Sequence, residues 1–215
     1  MPTDGLVHVV EDEAAMRDAL LLLLRSAGLS PRGYSTAEAF LADEAHRKPA
    51  CLVIDVRLPG MDGLALHKHL VSLGTAPATV IITGHGDIPM AVAALKAGAL
   101  DFVTKPFDPA LLLESVRDAL SHVAESERRK ALAEQVQERL ESLTPREAAI
   151  LRLLVEGHPS KGIAAKLEIS VRTVEHHRAH IMEKMQARSL AQLIKMALGR
   201  HDSVQSKPFG AQATP

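Results

Sequence analysis

Over its first 120 residues the chain alternates short apolar runs with stretches of helical periodicity. Leu6–Val10, Leu52–Ile54, Val80–Ile82 and Phe102–Val103 predict buried strands, and Ser30–Tyr34 a weaker one. Each run is followed by apolar positions at helical spacing, such as Met16, Leu20, Leu23 and Leu24, or Leu64, Leu66, Leu70 and Leu73. Strand–helix alternation at this rhythm predicts βαβ units. The fold class that follows is a doubly wound α/β domain, a five-stranded parallel sheet with helices on both faces. In such sheets chemistry collects beyond the carboxyl ends of the strands.

The pattern changes after residue 120. From Ser121 to Ser142 there is no Gly or Pro, and Glu, Arg, Lys, Ala and Gln dominate, which favours helix. Leu113, Val116, Leu120 and Val123 form one apolar stripe and Leu132, Val136 and Leu140 another, with a break around Glu127–Lys130. The fifth helix is therefore expected to run on as a helical linker, either a solvated spacer or a helix that pairs with its copy. Thr144-Pro145-Arg146-Glu147 then spells a capping box with Pro at the first helical position. That helix should end at Gly157. Further helices are expected over Ser160–Leu167, from Val171 (capped by Ser170) to about Met185, and over Ser189–Leu198. The predicted organisation is an α/β domain over residues 1–120, a linker over 121–142, an all-α helix-turn-helix domain over 143–200 and a flexible tail over 201–215.

Composition narrows the setting. Hydrophobic residues make up 47% of the 215 positions and aromatics 2%, with no Trp, so the cores must be aliphatic. A single cysteine, Cys51, excludes an internal disulfide and agrees with a cytoplasmic location. The apolar run Leu20–Leu24 is too short to span a bilayer, and no membrane partner is expected. The net charge of −1 hides an asymmetry. Residues 1–120 carry 10 Lys and Arg against 15 Asp and Glu, whereas residues 144–200 carry 10 against 5. A solvated basic face commonly explains such an excess, but it also suits a polyanion on the second half alone.

Candidate chemistry sits at the strand ends. Glu11 and Asp12 follow the first strand and Asp55 the third; Thr83 closes the fourth and Lys105 the fifth. Clustered carboxylates need a neutralising cation, and hard oxygen ligands suit Mg²⁺ (or Mn²⁺). A hydroxyl, an ammonium and a divalent ion around Asp55 make a receptor for a phosphoryl group, with Asp55 as nucleophile. Taken singly, each residue reads as a helix cap, a turn or a solvated charge. Five of them in order on successive strand ends do not.

Val9-Val10-Glu11-Asp12, Val53-Ile54-Asp55-Val56-Arg57-Leu58-Pro59-Gly60-Met61-Asp62-Gly63, Ile82-Thr83-Gly84 and Asp101-Phe102-Val103-Thr104-Lys105-Pro106-Phe107 resemble the flavodoxin-like receiver domains of two-component systems, over residues 5–120. The resemblance implies that Asp55 takes phosphate from a sensor histidine kinase. It also implies that Asp12, Asp55 and the backbone carbonyl of Arg57 ligate Mg²⁺, with Glu11 acting through water. Glu11 replaces the more usual Asp, which lengthens that arm by one methylene. A cis Lys105–Pro106 bond is implied too, as is a coupled switch in which Thr83 moves toward the phosphoryl group and Phe102 turns inward; as a plain reading, Phe102 is core. His85, two residues past Thr83, is placed to influence an attacking water.

In the second half the polar positions of the long helix carry Arg172, Thr173, Glu175, His176, His177, Arg178 and Lys184, donors and one acid suited to bases and phosphates. Lys161, at the start of the preceding helix, is a candidate phosphate contact. Leu143-Thr144-Pro145-Arg146-Glu147, Ser160-Lys161-Gly162-Ile163-Ala164, Ser170 through Arg178 and Lys184 through Leu190 resemble the LuxR-type helix-turn-helix. Joined to a receiver, this is the pattern of the NarL/FixJ subfamily, on its FixJ-like side. It implies a transcription regulator that binds double-stranded promoter DNA as a homodimer on phosphorylation, the last helix with Leu193 and Met196 aiding dimerisation. RNA polymerase is a further expected partner.

Two rival readings are weaker. His176 and His180 stand at i, i+4, a zinc-compatible spacing, but no further ligand is evident. An aspartyl-phosphate phosphatase would be expected to carry an acid two residues after the nucleophile, where this chain has Arg57. The expectation is a slow switch, not an enzyme.

Overall fold

The computed structural model describes residues 5–84 and 88–204. His85 lies outside them, as does the tail from residue 205 onward. The chain divides into two compact units, Met1–Arg128 and Arg129–Pro215.

In the first unit, strands β1 (Leu6–Val10), β2 (Ser30–Tyr34), β3 (Cys51–Asp55), β4 (Ala78–Thr83) and β5 (Asp101–Thr104) form one parallel sheet in the order β2-β1-β3-β4-β5. Helices α1 (Ala14–Ser26), α2 (Ala37–Ala42), α3 (Gly63–Ser72), α4 (Ile88–Lys96) and α5 (Pro109–Glu141) connect and follow the strands. Side chains alternate across the sheet with period two. Val7, Val9, Cys51 and Val53 pack with Leu20 and Leu24 of α1 and Leu112, Val116 and Ala119 of α5. Val10, Leu52 and Ile54 face the other way, onto Phe40 of α2 and Leu66 and Leu70 of α3. Ile81 packs with Ala94 of α4. Burial on both faces explains why these strands read as continuous apolar runs.

Helix α5 runs without a break for 33 residues, and the unit boundary falls within it. The second unit adds α6 (Pro145–Val155), α7 (Ser160–Leu167), α8 (Val171–Lys184) and α9 (Leu190–Val204). Ile150, Leu151, Leu154, Ile163, Val174, Ile181, Met185 and Leu193 form its core. One boundary differs from expectation. The last helix continues past Leu198 to Val204, so residues 201–204 are helical and not tail. A single Gly, such as Gly199, costs a helix only about 1 kcal/mol and need not end it. Among the described residues, no helix is long and apolar enough to cross a membrane.

Candidate functional site

Sheet register assembles the acidic pocket. Val10 pairs with Ile54, Asp55 with Ile82 and Thr83 with Thr104, so the residues that follow these pairs emerge side by side at one edge. Glu11 stays attached to β2 through its N–H, which donates to the Tyr34 carbonyl at 3.1 Å, and the Lys105 N–H donates to the Thr83 carbonyl at 2.7 Å. Glu11, Asp12 and Asp55 each offer a carboxylate oxygen, all within 4.8 Å of one another. Glu11 and Asp55 are buried, whereas Asp12 is exposed.

Lys105 spans the pocket. Its Nζ donates to Glu11 Oε2 at 2.7 Å and to Asp55 Oδ2 at 2.5 Å. The other oxygen of Asp55, Oδ1, accepts the backbone N–H of Arg57 at 3.0 Å. Burial raises the Glu11 carboxyl above its ordinary range; the Lys105 hydrogen bond opposes this and the Asp55 charge adds to it. Burial alone would push the Lys105 ammonium down, but its bonds to Asp55 and Glu11 outweigh it and the net shift is upward. The pocket thus holds two buried carboxylates that share one lysine, with a third, exposed carboxylate beside them. Three convergent hard oxygen donors fit a divalent cation of the Mg²⁺ type.

The turn after β3 is fixed by close approach. A Cβ at Gly63 would lie 2.1 Å from the carbonyl oxygen of Asp55, so α3 can start there only with glycine. Asp62 caps α3 by accepting the Ala65 N–H at 2.7 Å, and Glu38 of α2 accepts the Met61 N–H at 3.0 Å. The Arg57 side chain is exposed. Thr83 is buried, and its hydroxyl donates to the adjacent Gly84 carbonyl at a long 3.3 Å. Phe102 is half-buried against the cluster of Val56, Ile81, Ala94 and Ala99. The Lys105–Pro106 peptide is cis, as the resemblance implies.

In the second unit the capping box closes in both directions. Thr144 accepts the Glu147 N–H, and Glu147 accepts the Thr144 N–H at 2.8 Å. Helix α7 ends at Glu168, whose left-handed φ of 52° turns the chain toward α8. Ser170 caps α8 by accepting the Thr173 N–H at 3.0 Å. Lys161, Arg172 and His176 are exposed, Thr173 and His177 half-buried. Thr173 also shares a 2.7 Å hydroxyl contact with Ser170, so it serves the cap.

Three of the candidate DNA contacts, Arg178, Glu175 and Lys184, have side-chain partners within the protein. Arg178 donates to Ser160 Oγ at 2.7 Å and to Glu175 Oε1 at 3.0 Å, linking α8 to the start of α7. Ser160 in turn donates to Glu175 at 2.5 Å, so Glu175 orients its neighbours. Lys184 donates to Glu147 Oε2 at 2.7 Å and to the Ser142 carbonyl at 3.2 Å. Its ammonium fastens α8 to the cap of α6, a structural role alongside the expected DNA contact. His176 and His180 lie ring to ring, 4.2 Å between centroids. Among the described residues, the only group of three metal-competent side chains is Glu11, Asp12 and Asp55.

Sequence reasoning quoted Gly63 within a motif without its clearance role, and it missed Glu38. It took Glu147 as a cap partner alone. The motif spelled the cap, but nothing marked Lys184, 37 positions away, as its second partner.

Comparison with known proteins agrees with this architecture. Residues 7–117 match the response regulator receiver domain family, and residues 141–197 match the bacterial regulatory proteins of the luxR family. The transcriptional regulatory protein FixJ of Azorhizobium caulinodans is 44% identical over 92% of this chain and 94% of its own. FixJ of Rhizobium meliloti is 43% identical over 91% of this chain and 96% of its own. Among solved structures, the response regulator StyR superposes with a TM-score of 0.80 at 39% identity, covering 90% of this chain and 98% of that one. Likeness that runs through both units at this level leaves one assignment: the chain belongs to the two-component response regulators, as a FixJ-like transcription regulator that joins a receiver to a LuxR-type DNA-binding domain.

Proposed function

We propose that Asp55 is the phosphoryl acceptor and that its phosphorylation controls promoter binding by the second unit. The observation that carries this reading is the Lys105 ammonium held against Asp55 and Glu11, two members of the three-carboxylate cluster. The Asp55 carboxylate attacks the phosphorus of a kinase phosphohistidine. An O–P bond forms as the N–P bond breaks, and the released imidazole takes up a proton. Lys105 neutralises charge on the transferring oxygens. Thr83 exchanges its long contact to Gly84 for a phosphoryl oxygen. Mg²⁺ (or Mn²⁺), when bound, would add charge neutralisation; Glu11, Asp12, Asp55 and the Arg57 carbonyl are the groups that would hold it.

The phosphorylated chain acts in the cytoplasm as a homodimer on paired half-sites, with RNA polymerase as a further partner. Arg172, His176, His177 and Lys161 meet bases and phosphates, and Arg178 does so in the orientation Glu175 sets. The chain is a switch with at most slow self-dephosphorylation, and not a turnover enzyme. Incubation with a small phosphodonor and Mg²⁺ should add one phosphoryl group by intact mass, and Asp55→Asn should add none. Labelling of Asp55→Asn at another residue, or rapid turnover of phosphate monoesters by the unaltered chain, would overturn the reading.

A further inference from the structure

We infer that Arg17 is a positioning residue for divalent-cation binding: it fastens the loop carrying Glu11 and Asp12 by its backbone, so that both carboxylates face Asp55. The inference rests on the metal reading of the acidic pocket given above. Arg17 lies in the second turn of α1, and its Nη1 reaches back to donate to the Glu11 carbonyl at 2.8 Å and to the Asp12 carbonyl at 3.2 Å. Hydrogen bonds from a charged donor are roughly twice as strong as neutral ones. The two carbonyls belong to the residues whose side chains supply two of the three converging oxygens.

Two further observations set this contact apart from an ordinary surface arginine. The junction it spans lacks the usual fastening, because Glu13, at the N-cap of α1, makes no side-chain cap hydrogen bond. Arg17 does not cap those first N–H groups, because it can only donate, but it ties the preceding loop to the helix through the loop's carbonyls. The sheet also makes room for the arginine stem. At Gly33 of β2 an added Cβ would stand 3.2 Å from Arg17 Cδ, 3.3 Å from its Cγ and 2.9 Å from Leu21 Cδ1. With the Glu11 N–H donating to the Tyr34 carbonyl of the same strand, the loop is held on both sides, by β2 and by Arg17.

Electrostatics and positioning predict opposite signs, which makes the inference testable. A guanidinium close to a cation site repels the cation, so charge alone makes loss of Arg17 tighten binding. Loss of the positioning contact loosens the loop and weakens it. Groups that support metal ligands through hydrogen bonds are typically worth about 10- to 100-fold in metal affinity.

The experiment is a titration of the full chain with Mn²⁺, free ion followed by electron paramagnetic resonance, with Mg²⁺ as competitor. Arg17→Ala should raise the dissociation constant about tenfold, and Arg17→Lys, whose shorter side chain brings its nitrogen less close to the two carbonyls, should fall between. Gly33→Ala, which crowds the stem, should move affinity in the same direction by less, and should add little in the Arg17→Ala background. Thermal unfolding without metal monitors the fold; should Arg17→Ala fail to fold, Arg17→Lys and Gly33→Ala carry the test. Binding by these variants equal to or tighter than that of the unaltered chain overturns the role of Arg17 alone. Absence of binding by the unaltered chain overturns the metal reading and the role of Arg17 with it.

Discussion

Each unit contains a buried glutamate held by a lysine at 2.7 Å, and the two behave in opposite ways. Glu11 in the receiver has its carboxyl raised, because burial and the neighbouring Asp55 outweigh a lysine that it shares. Glu147 in the DNA-binding unit is also desolvated. Its bonds from Lys184 and from the N–H and hydroxyl of Thr144 nevertheless hold its carboxyl at about 2. The difference lies in what surrounds the pair. A carboxylate with donors on all sides is a brace; one that must share its cation with a second carboxylate is held short of neutralisation and remains receptive to more positive charge. The receiver pocket keeps a deficit of positive charge, and the second unit has none where Lys184 of α8 meets Glu147.

The largest test of this contrast is Glu147→Ala. Removing one partner of a buried pair strands the other, so the second unit should lose about 3 kcal/mol in urea unfolding. The partly exposed Lys184 keeps the loss at the lower end of the usual range. The same pair predicts acid sensitivity: Glu147 contributes stability above the ordinary value of 4.5, and that contribution disappears as pH falls from there toward 2. Glu147→Gln should flatten that loss.

A smaller effect separates DNA-contacting cations from structural ones. Arg172→Ala should weaken operator binding and reduce the salt slope by about one. Lys184→Met should leave the slope unchanged while lowering the stability of the second unit. An equal slope change for both would return Lys184 to the DNA contacts. The smallest effect is expected for Glu11→Gln. A carboxyl raised above 4.5 costs stability while ionised, and the cost is relieved as pH falls through the raised value. In metal-free buffer at neutral pH this variant should raise the receiver's unfolding midpoint slightly, and the gain should vanish in acid.

The fold and the acidic pocket were legible because both follow from local rules. A doubly buried strand has to be apolar throughout, and residues just past the ends of neighbouring parallel strands have to meet, so Glu11, Asp55, Thr83 and Lys105 could be assembled on paper. Side-chain ties between distant helices obey no such rule. Lys184 and Arg178 looked like free cations on a polar face, and only the packing of α6, α7 and α8 reveals their partners. Arg17 stayed hidden for a related reason: its partners are carbonyls, which every residue carries. The extra turns of α9 were missed because glycine is a weak stop signal inside a helix.

At position 63 the alphabet is reduced to a single letter. The space that a methyl group would need is already filled by the carbonyl oxygen of Asp55. A library randomised there should return glycine whatever activity is selected, because the restriction comes from main-chain clearance and not from any reaction. The Asp55 carbonyl thus dictates the identity of a residue eight positions downstream that has no side chain of its own.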